Sequence, residues 1–231
     1  MFEQLQVECY NANMQLPSLD LVIYTFGNVS CADREKNVFA IKPSGVDYDK
    51  LKLEDIVIVD FNGEKVDGKL RPSSDTKTHA VLYRAFPQIN SVVHTHSTYA
   101  ASWAQSGREI PIYGTTHADH LPVGIPCTDF ISDEAILRDY ETETGLQIVS
   151  HFEKLKLDSG EIEMVVVGGH GPFTWGKNAE KALYNASMLE ELAKMALFTE
   201  QINPQVQELK KSIINKHYSR KHGKDAYYGQ K

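Results

Sequence analysis

The sequence predicts an α/β sandwich built on a mixed, largely antiparallel sheet. Apolar runs of strand length recur along the chain, at Val38-Phe39-Ala40-Ile41, Ile56-Val57-Ile58-Val59, Ser91-Val92-Val93 and Met164-Val165-Val166-Val167. Stretches with helical spacing lie between them, so neither an all-α nor an all-β fold fits. Asn62-Gly63, just after the second run, is a turn signal that joins antiparallel neighbours in a hairpin. The 231 residues, 42% of them apolar, suffice for one domain spanning 1–231 with an ample core. No repeat or linker divides the chain.

The elements follow in order. Leu5, Cys9, Ala12 and Leu16 have helical spacing, and Pro17 is expected to stop that helix. Leu21 to Ser30 reads as a strand running into a loop, broken at Gly27-Asn28. The strand at Val38–Ile41 enters Lys42-Pro43-Ser44-Gly45. Ser73-Ser74-Asp75 precedes a helical stretch from Thr76 to Phe86, and Ser91 to His96 reads as a strand followed by a helix through Trp103. Ile110 to Ile131 carries three prolines and reads as loop. Ser132 followed by Asp133-Glu134 marks a helix start, with the hydroxyl as cap and acids in the first turn. Met164 to Gly169 is a buried strand that ends in a glycine-rich turn. Asn178 caps a long helix from Ala179 to Phe198, and Pro204 opens a last helix that is basic toward its end.

The net charge of −7 argues against nucleic acid as a general partner, because a phosphate backbone calls for a basic surface. It leaves room for a local basic cluster on a small phosphorylated ligand. Cys9, Cys31 and Cys127 are odd in number and widely spaced, which suits a reducing compartment rather than a disulfide framework. The first residues are acidic early and lack the apolar core of a signal peptide, and no apolar run approaches the ~20 residues that span a bilayer. A soluble, cytoplasmic protein with no membrane partner is expected.

His94-Thr95-His96 closes an apolar run. Alternation along a strand puts the two imidazoles on one face, where they can share a divalent cation. His170, in Gly168-Gly169-His170-Gly171-Pro172, is a third histidine at a strand end. Either feature alone reads as ordinary buried or structural histidine; together they suggest a catalytic metal site with an open position. Asp75 is available as a fourth ligand or, equally, as the cap of the helix that follows it. A His₃Asp set suits Zn²⁺, and by ligand type also Mn²⁺ or Fe²⁺. Thr25–Ser30, Lys42–Gly45 and Pro72–Asp75 each place small hydroxyls, glycine or amide at a strand end. Singly they read as turns; together, with the charge of Lys42, they form a cradle for a phosphate.

Gly27-Asn28-Val29-Ser30, Lys42-Pro43-Ser44-Gly45, Ser73-Ser74-Asp75, His94-Thr95-His96 and His170-Gly171-Pro172 resemble the class II sugar-phosphate aldolase/epimerase superfamily. Within it the match is to the branch of L-ribulose-5-phosphate 4-epimerases. It extends through Gly114-Thr115-Thr116-His117-Ala118-Asp119 and the tail from Lys216-His217-Tyr218 to Tyr227-Tyr228-Gly229-Gln230, so it covers essentially the whole chain.

The resemblance implies a three-layer α/β/α subunit in a C4 homotetramer, with active sites at subunit interfaces and a phosphorylated ketopentose as substrate. It implies metal ligands at Asp75, His94, His96 and His170, with Zn²⁺ or another divalent ion. Phosphate contacts are implied at Gly27, Asn28, Lys42, Ser44, Gly45, Ser73 and Ser74. The acid/base pair would be Asp119 from one subunit and Tyr228 from its neighbour, with Thr115, Glu141 and His217 in support. The tail from about 204 to 231 would complete a neighbouring site. Taken by itself, Asp119 reads as a solvated loop acid and Tyr228 as part of a chain end. The implied reaction interconverts L-ribulose 5-phosphate and D-xylulose 5-phosphate by cleaving and remaking C3–C4. Related aldolases carry Glu at the position of Asp75, so this chain sides with the epimerases. The competing readings are a class II aldolase on a related sugar phosphate and a non-catalytic scaffold of the same fold.

Overall fold

The computed structural model describes residues 2–223, 226 and 227. Helix α1 (Glu3–Ser18) leads to β1 (Asn28–Asp33), β2 (Val38–Ile41), β3 (Val57–Asp60), β4 (Lys65–Asp67), α2 (Thr76–Ala85), β5 (Ser91–His94), α3 (Thr98–Ser106) and α4 (Thr115–Ala118). Then come β6 (Cys127–Phe130), α5 (Asp133–Leu155), β7 (Met164–Gly168), β8 (Gly171–Gly176), α6 (Ala179–Ile202) and α7 (Lys211–His222). Among the described residues the strands form one eight-stranded sheet in the order β4-β3-β2-β1-β5-β8-β7-β6. Every neighbouring pair is antiparallel except β6 and β7.

Both faces of the sheet are apolar, and the alternation of the strands shows it. Phe39, Ile41, Val57, Val59 and Val92 join one core with α2, α3 and α5. Val38, Ala40, Ile58 and Val93, their neighbours in sequence, join the other with α1 and the start of α6. A sheet buried on both faces needs helices on both, so the sandwich has three layers as expected. Each large core side chain contributes roughly 1.5–3 kcal/mol by leaving water.

The central register decides where function can sit. Asn28 of β1 lies opposite His94 of β5, and His94 lies opposite Phe173 of β8. Three strands far apart in sequence therefore end at one edge of the sheet.

Several boundaries differ from the sequence reading. Helix α1 runs through Pro17 to Ser18, because a proline in the last turn removes only one terminal hydrogen bond. Leu21 to Gly27 is not strand: Asp20, Tyr24 and Gly27 have positive φ (55°, 52° and 76°), which breaks extended backbone, and β1 starts only at Asn28. Strand β5 stops at His94, leaving His96 in the following loop. The segment read as loop contains α4 and the edge strand β6. Pro204 does not open a helix; α7 begins at Lys211, after an extended stretch whose Leu209 N–H donates to Ile112 O at 2.7 Å. The caps at Ser132 and Asn178 are present, accepting from Ala135 N–H and Lys181 N–H at 3.2 and 2.9 Å.

Candidate metal centre and anion cleft

A cleft of about 350 Å³ opens at the edge where β1, β5 and β8 end. His94 enters it from the last position of β5. Its Nδ1–H donates to Pro172 O at 2.9 Å, since a carbonyl only accepts, so Nε2 presents a lone pair. His96 places its own Nε2 at 3.1 Å from that atom. His170 comes from the tight β7–β8 turn, where Gly169 has φ +73°. One ring nitrogen from each of the three lies within 4.8 Å of the others.

The surroundings hold these rings in place. Phe173 stacks on His94 at 4.1 Å between ring centroids, and Phe26 stacks on His96 at 5.7 Å. Tyr140 Oη lies 3.3 Å from His170 Nδ1. Gly171 has no room for a side chain: a Cβ there would stand 2.9 Å from Thr95 O and 3.4 Å from His96 Cδ2. Burial, and then the neighbouring His94, push the His170 imidazole down to about 3 and lower that of His96 as well. The His96 and His170 rings are therefore neutral near pH 7, the form that binds a metal.

Asp75 faces the same cleft. It occupies the cap position of α2, yet its side chain makes no capping hydrogen bond. Its Oδ2 instead accepts from Asn28 Nδ2 at 2.6 Å and from Ser73 Oγ at 3.4 Å. Asp75 therefore does not cap α2 with its side chain, and it lines the cleft together with the histidines. Burial raises its pKa, but the His94 and His79 imidazoles and the Asn28 amide outweigh it and leave the carboxyl below its ordinary range. It stands outside the tight cluster of ring nitrogens. Three imidazoles converging with a carboxylate nearby are a donor set that fits a divalent cation such as zinc. His94, His96 and His170 would hold it, with Asp75 as the adjoining carboxylate.

The cradle beside the histidines is built by two cross-linked segments. Ser44 N–H donates to Arg71 O at 3.1 Å, and Ser73 N–H donates to Lys42 O at 3.0 Å. Gly45, with φ +69°, turns the first segment back, and nothing lies within 4 Å of where its Cβ would be. Lys42 is almost fully buried at 1% exposure. Its Nζ donates to Thr25 O at 3.2 Å and sits 4.7 Å from the Tyr48 ring centroid. No carboxylate among the described residues forms an ion pair with it, and the charge of Asp47 acts on it only from beyond ion-pair distance. Burial lowers its pKa to about 8. Gly27, Asn28, Ser44, Gly45, Ser73 and Ser74 all line this cleft, as does Glu141.

Asp119, Thr115 and His217 gather elsewhere. Thr115 opens α4, and Asp119 follows that helix and grips α7. The Asp119 carboxylate accepts from His217 Nδ1 at 3.0 Å and from Arg220 Nε and Nη2 at 2.9 and 2.6 Å. Burial raises its pKa, but the hydrogen bonds from Arg220 and His217 and the Lys221 and Arg220 charges lower it overall. None of the three lines the histidine cleft of its own chain. Tyr228 lies outside the described residues.

Residues 7–197 match the family described as class II aldolase and adducin N-terminal domain. The chain belongs to the class II aldolase family. Its match takes in every cleft residue named above and ends before α7. A curated relative, L-ribulose-5-phosphate 4-epimerase UlaF of Salmonella paratyphi B, is 47% identical over 99% of this chain and 100% of its own. The resemblance to the epimerase branch thus holds through the tail. Among solved structures, an L-fuculose 1-phosphate aldolase superposes with TM-score 0.78 at 24% identity, covering 94% of this chain and 95% of the other. The L-fuculose 1-phosphate aldolase of Glaciozyma antarctica gives 0.76 at 16% identity, covering 97% and 84%. At such identities these two show the shared fold.

Sequence reading missed Tyr140 and Phe26 in this class II aldolase cleft. Tyr140 reaches His170 because α5 breaks at Asp139 (φ −171°, ψ 91°). There Asp139 Oδ2 accepts from Thr142 Oγ1 at 3.0 Å and from Lys77 Nζ at 2.7 Å. The signal was in the sequence: Asp139 followed three residues later by Thr142 is a second capping pattern inside the helix. Phe26 had no such signal, being one of several exposed aromatics.

Proposed function

We propose that this protein is a metal-dependent L-ribulose-5-phosphate 4-epimerase that interconverts L-ribulose 5-phosphate and D-xylulose 5-phosphate. The observation that carries this is the sharing of one cleft by the His94–His96–His170 cluster and the anion cradle around buried Lys42. The near full-length similarity to a named epimerase supports the choice of reaction.

C4 of the substrate is β to the C2 carbonyl, so its hydrogen is not acidic and inversion requires breaking C3–C4. A base takes the C4 hydroxyl proton, the C3–C4 electron pair remains on the C1–C3 fragment as an enediolate, and C4 becomes an aldehyde. The aldehyde turns over, C3 re-adds to its other face, and an acid returns a proton to O4. Asp75, His94, His96 and His170 would hold a divalent ion, Zn²⁺ first and Mn²⁺ next by donor type, and that ion would supply Lewis-acid stabilisation of the negative charge.

Lys42, Ser44, Ser73, Ser74 and the amides at Gly27 and Gly45 hold the phosphate, with Asn28 between cradle and carboxylate. The tether lets the aldehyde fragment rotate without escaping. Asp119 and Tyr228 act as the acid/base pair, each proton transfer contributing about 10²–10⁴-fold. Thr115, Glu141 and His217 support them. Because Asp119 lies away from the cleft of its own chain, this assignment calls for active sites completed across subunits, in a homotetramer whose tails from about residue 204 reach a neighbour. Among the described residues no helix is long and apolar enough to cross a membrane, and all three cysteines are free thiols, which supports a cytoplasmic setting.

The deciding experiment is epimerisation of L-ribulose 5-phosphate by purified protein with and without chelator, with glycolaldehyde phosphate assayed in parallel. D-xylulose 5-phosphate that disappears on chelation and returns with added metal, without free aldehyde, is the expected result. Released aldehyde without epimerised product would assign the cleft to an aldolase. No turnover in metal-loaded protein would overturn the proposal.

A further inference from the structure

Tyr48 follows the Lys42-Pro43-Ser44-Gly45 turn by three residues and stands between two acids, Asp47 and Asp49. Despite those neighbours it is buried, packed into the core that holds Cys9, Val29 and Leu51. It does not line the histidine cleft. It touches two parts of that cleft's wall from behind. Lys42 Nζ sits over its ring, 4.7 Å from the centroid. Its hydroxyl donates to Gly27 O at 2.8 Å and lies 3.2 Å from Phe26 O. The direction of these contacts is fixed, because a carbonyl only accepts.

Each contact has a consequence for an anion. A carboxylate in place of the ring would hold the ammonium by neutralising it. An aromatic face attracts the same cation through its quadrupole and carries no net charge, so the positive charge stays available. That suits a lysine that is itself buried, donates to Thr25 O at 3.2 Å and lines the cleft. The hydroxyl acts on the other part of the wall. Gly27, at φ +76°, has the backbone freedom to turn in several ways. The peptide between Phe26 and Gly27 is trans, so its C=O and N–H point in opposite directions. With Phe26 O turned to Tyr48, Gly27 N–H is turned away from it. Three successive carbonyls, of Thr25, Phe26 and Gly27, are thus engaged by Lys42 and Tyr48.

We infer that Tyr48 is a positioning residue for phosphate capture: from outside the cleft, its ring holds the Lys42 ammonium with its charge intact, and its hydroxyl holds the turn that carries Gly27 N–H. This rests on the reading of Lys42 and its neighbours as a phosphate cradle. The effect falls on binding of the phosphate group, and so on KM more than on kcat.

The test uses the full-length, metal-loaded protein. It reads the affinity for inorganic phosphate by calorimetry, and KM and kcat for L-ribulose 5-phosphate. Tyr48→Phe keeps the ring and removes the hydroxyl; Tyr48→Leu removes both. Each is also made in the Lys42→Met background. Expected are losses of phosphate affinity of about 2–10-fold in Tyr48→Phe and about 10–100-fold in Tyr48→Leu, with KM rising in parallel and kcat changing less. In the Lys42→Met background the step from Phe to Leu at position 48 should shrink below about 2-fold, since the ring then has no cation to hold. Native phosphate affinity in folded Tyr48→Phe would overturn the part given to the hydroxyl, and in folded Tyr48→Leu the whole inference. A Phe-to-Leu step that persists without Lys42 would mean that the ring serves packing alone. If Tyr48→Leu fails to fold, pentafluorophenylalanine at position 48 keeps the ring's shape and reverses the charge of its face. Its affinity should fall below that of Tyr48→Phe, and equal affinity would overturn the part given to the ring. Failure of the underlying reading looks different: the native chain would bind phosphate no more tightly than Lys42→Met.

Discussion

His94 and His96 bring their Nε2 atoms to within 3.1 Å although only His94 belongs to β5. Two imidazole nitrogens this close, with the first fixed as an acceptor by its bond to Pro172 O, can both turn a lone pair to one cation when His96 carries its proton on Nδ1. His96→Asn should therefore lose metal and activity together, by more than the roughly 10–100-fold that follows loss of an outer-sphere partner. Metal content per chain after dialysis, beside the epimerase rate, checks this. Activity persisting in the metal-free variant would rule out a metal role.

Gly171→Ala should disturb the same point from behind. The added methyl would press on Thr95 O and on the His96 ring, so the turn or the ring must shift. A stability loss of about 1–3 kcal/mol is expected, as for overpacked sites, with weaker metal binding. Denaturant unfolding and chelator competition measure the two effects separately. Native metal affinity would show that the ring tolerates the displacement.

Lys42 should impose an alkaline limit on substrate capture. Its pKa is depressed to about 8, so the cation is present below that value and lost above it. The value of kcat/KM, which reports on the free enzyme, should fall as pH rises past about 8. Lys42→Met should abolish that limb and raise KM roughly 10–100-fold, the equivalent of about 1.5–3 kcal/mol for a hydrogen bond to a charged group. A pH profile unchanged by the substitution would separate Lys42 from phosphate binding.

Asp119 should tie α7 to the body in a pH-dependent way. Its folded pKa lies below the unfolded value of about 3.9, so its contribution is complete above that value and is lost as pH falls through the folded pKa. Asp119→Asn should destabilise the protein by about 1–2 kcal/mol at pH 7, by removing the partner of His217 and Arg220. The gap in melting temperature between the two proteins should close below about pH 4. A gap that stayed constant into acid would mean that the side chain's shape, and not its charge, holds the helix.

The legible parts of the molecule were those whose chemistry is local. Apolar runs located β2, β3, β5 and β7, and the caps at Ser132 and Asn178 located two helix starts. Strand β8 escaped notice because Gly171, Pro172 and Gly176 read as turn, although every residue of it is buried. Strand β6 has no alternation to betray it, since it pairs only with β7 and through a broken register. The ring cluster and cradle could be listed from motifs, but not the choice that Asp75 makes between helix cap and cleft, which depends on Asn28 from another strand. The placement of Asp119 against α7, away from the histidines, is tertiary and had no sequence signal.

The order of strands at the sheet's centre also constrains how the protein is made. β1, β5 and β8 are neighbours in space, yet β8 does not exist until residue 176 of 231 has been synthesised. Pairing across such separations incurs loop-closure entropy before any contact offsets it, so it tends to come late and slowly. The three histidines are brought together only by that last pairing. A nascent chain cannot use the cation as an early template, and during refolding metal uptake should follow the slowest folding phase rather than precede it.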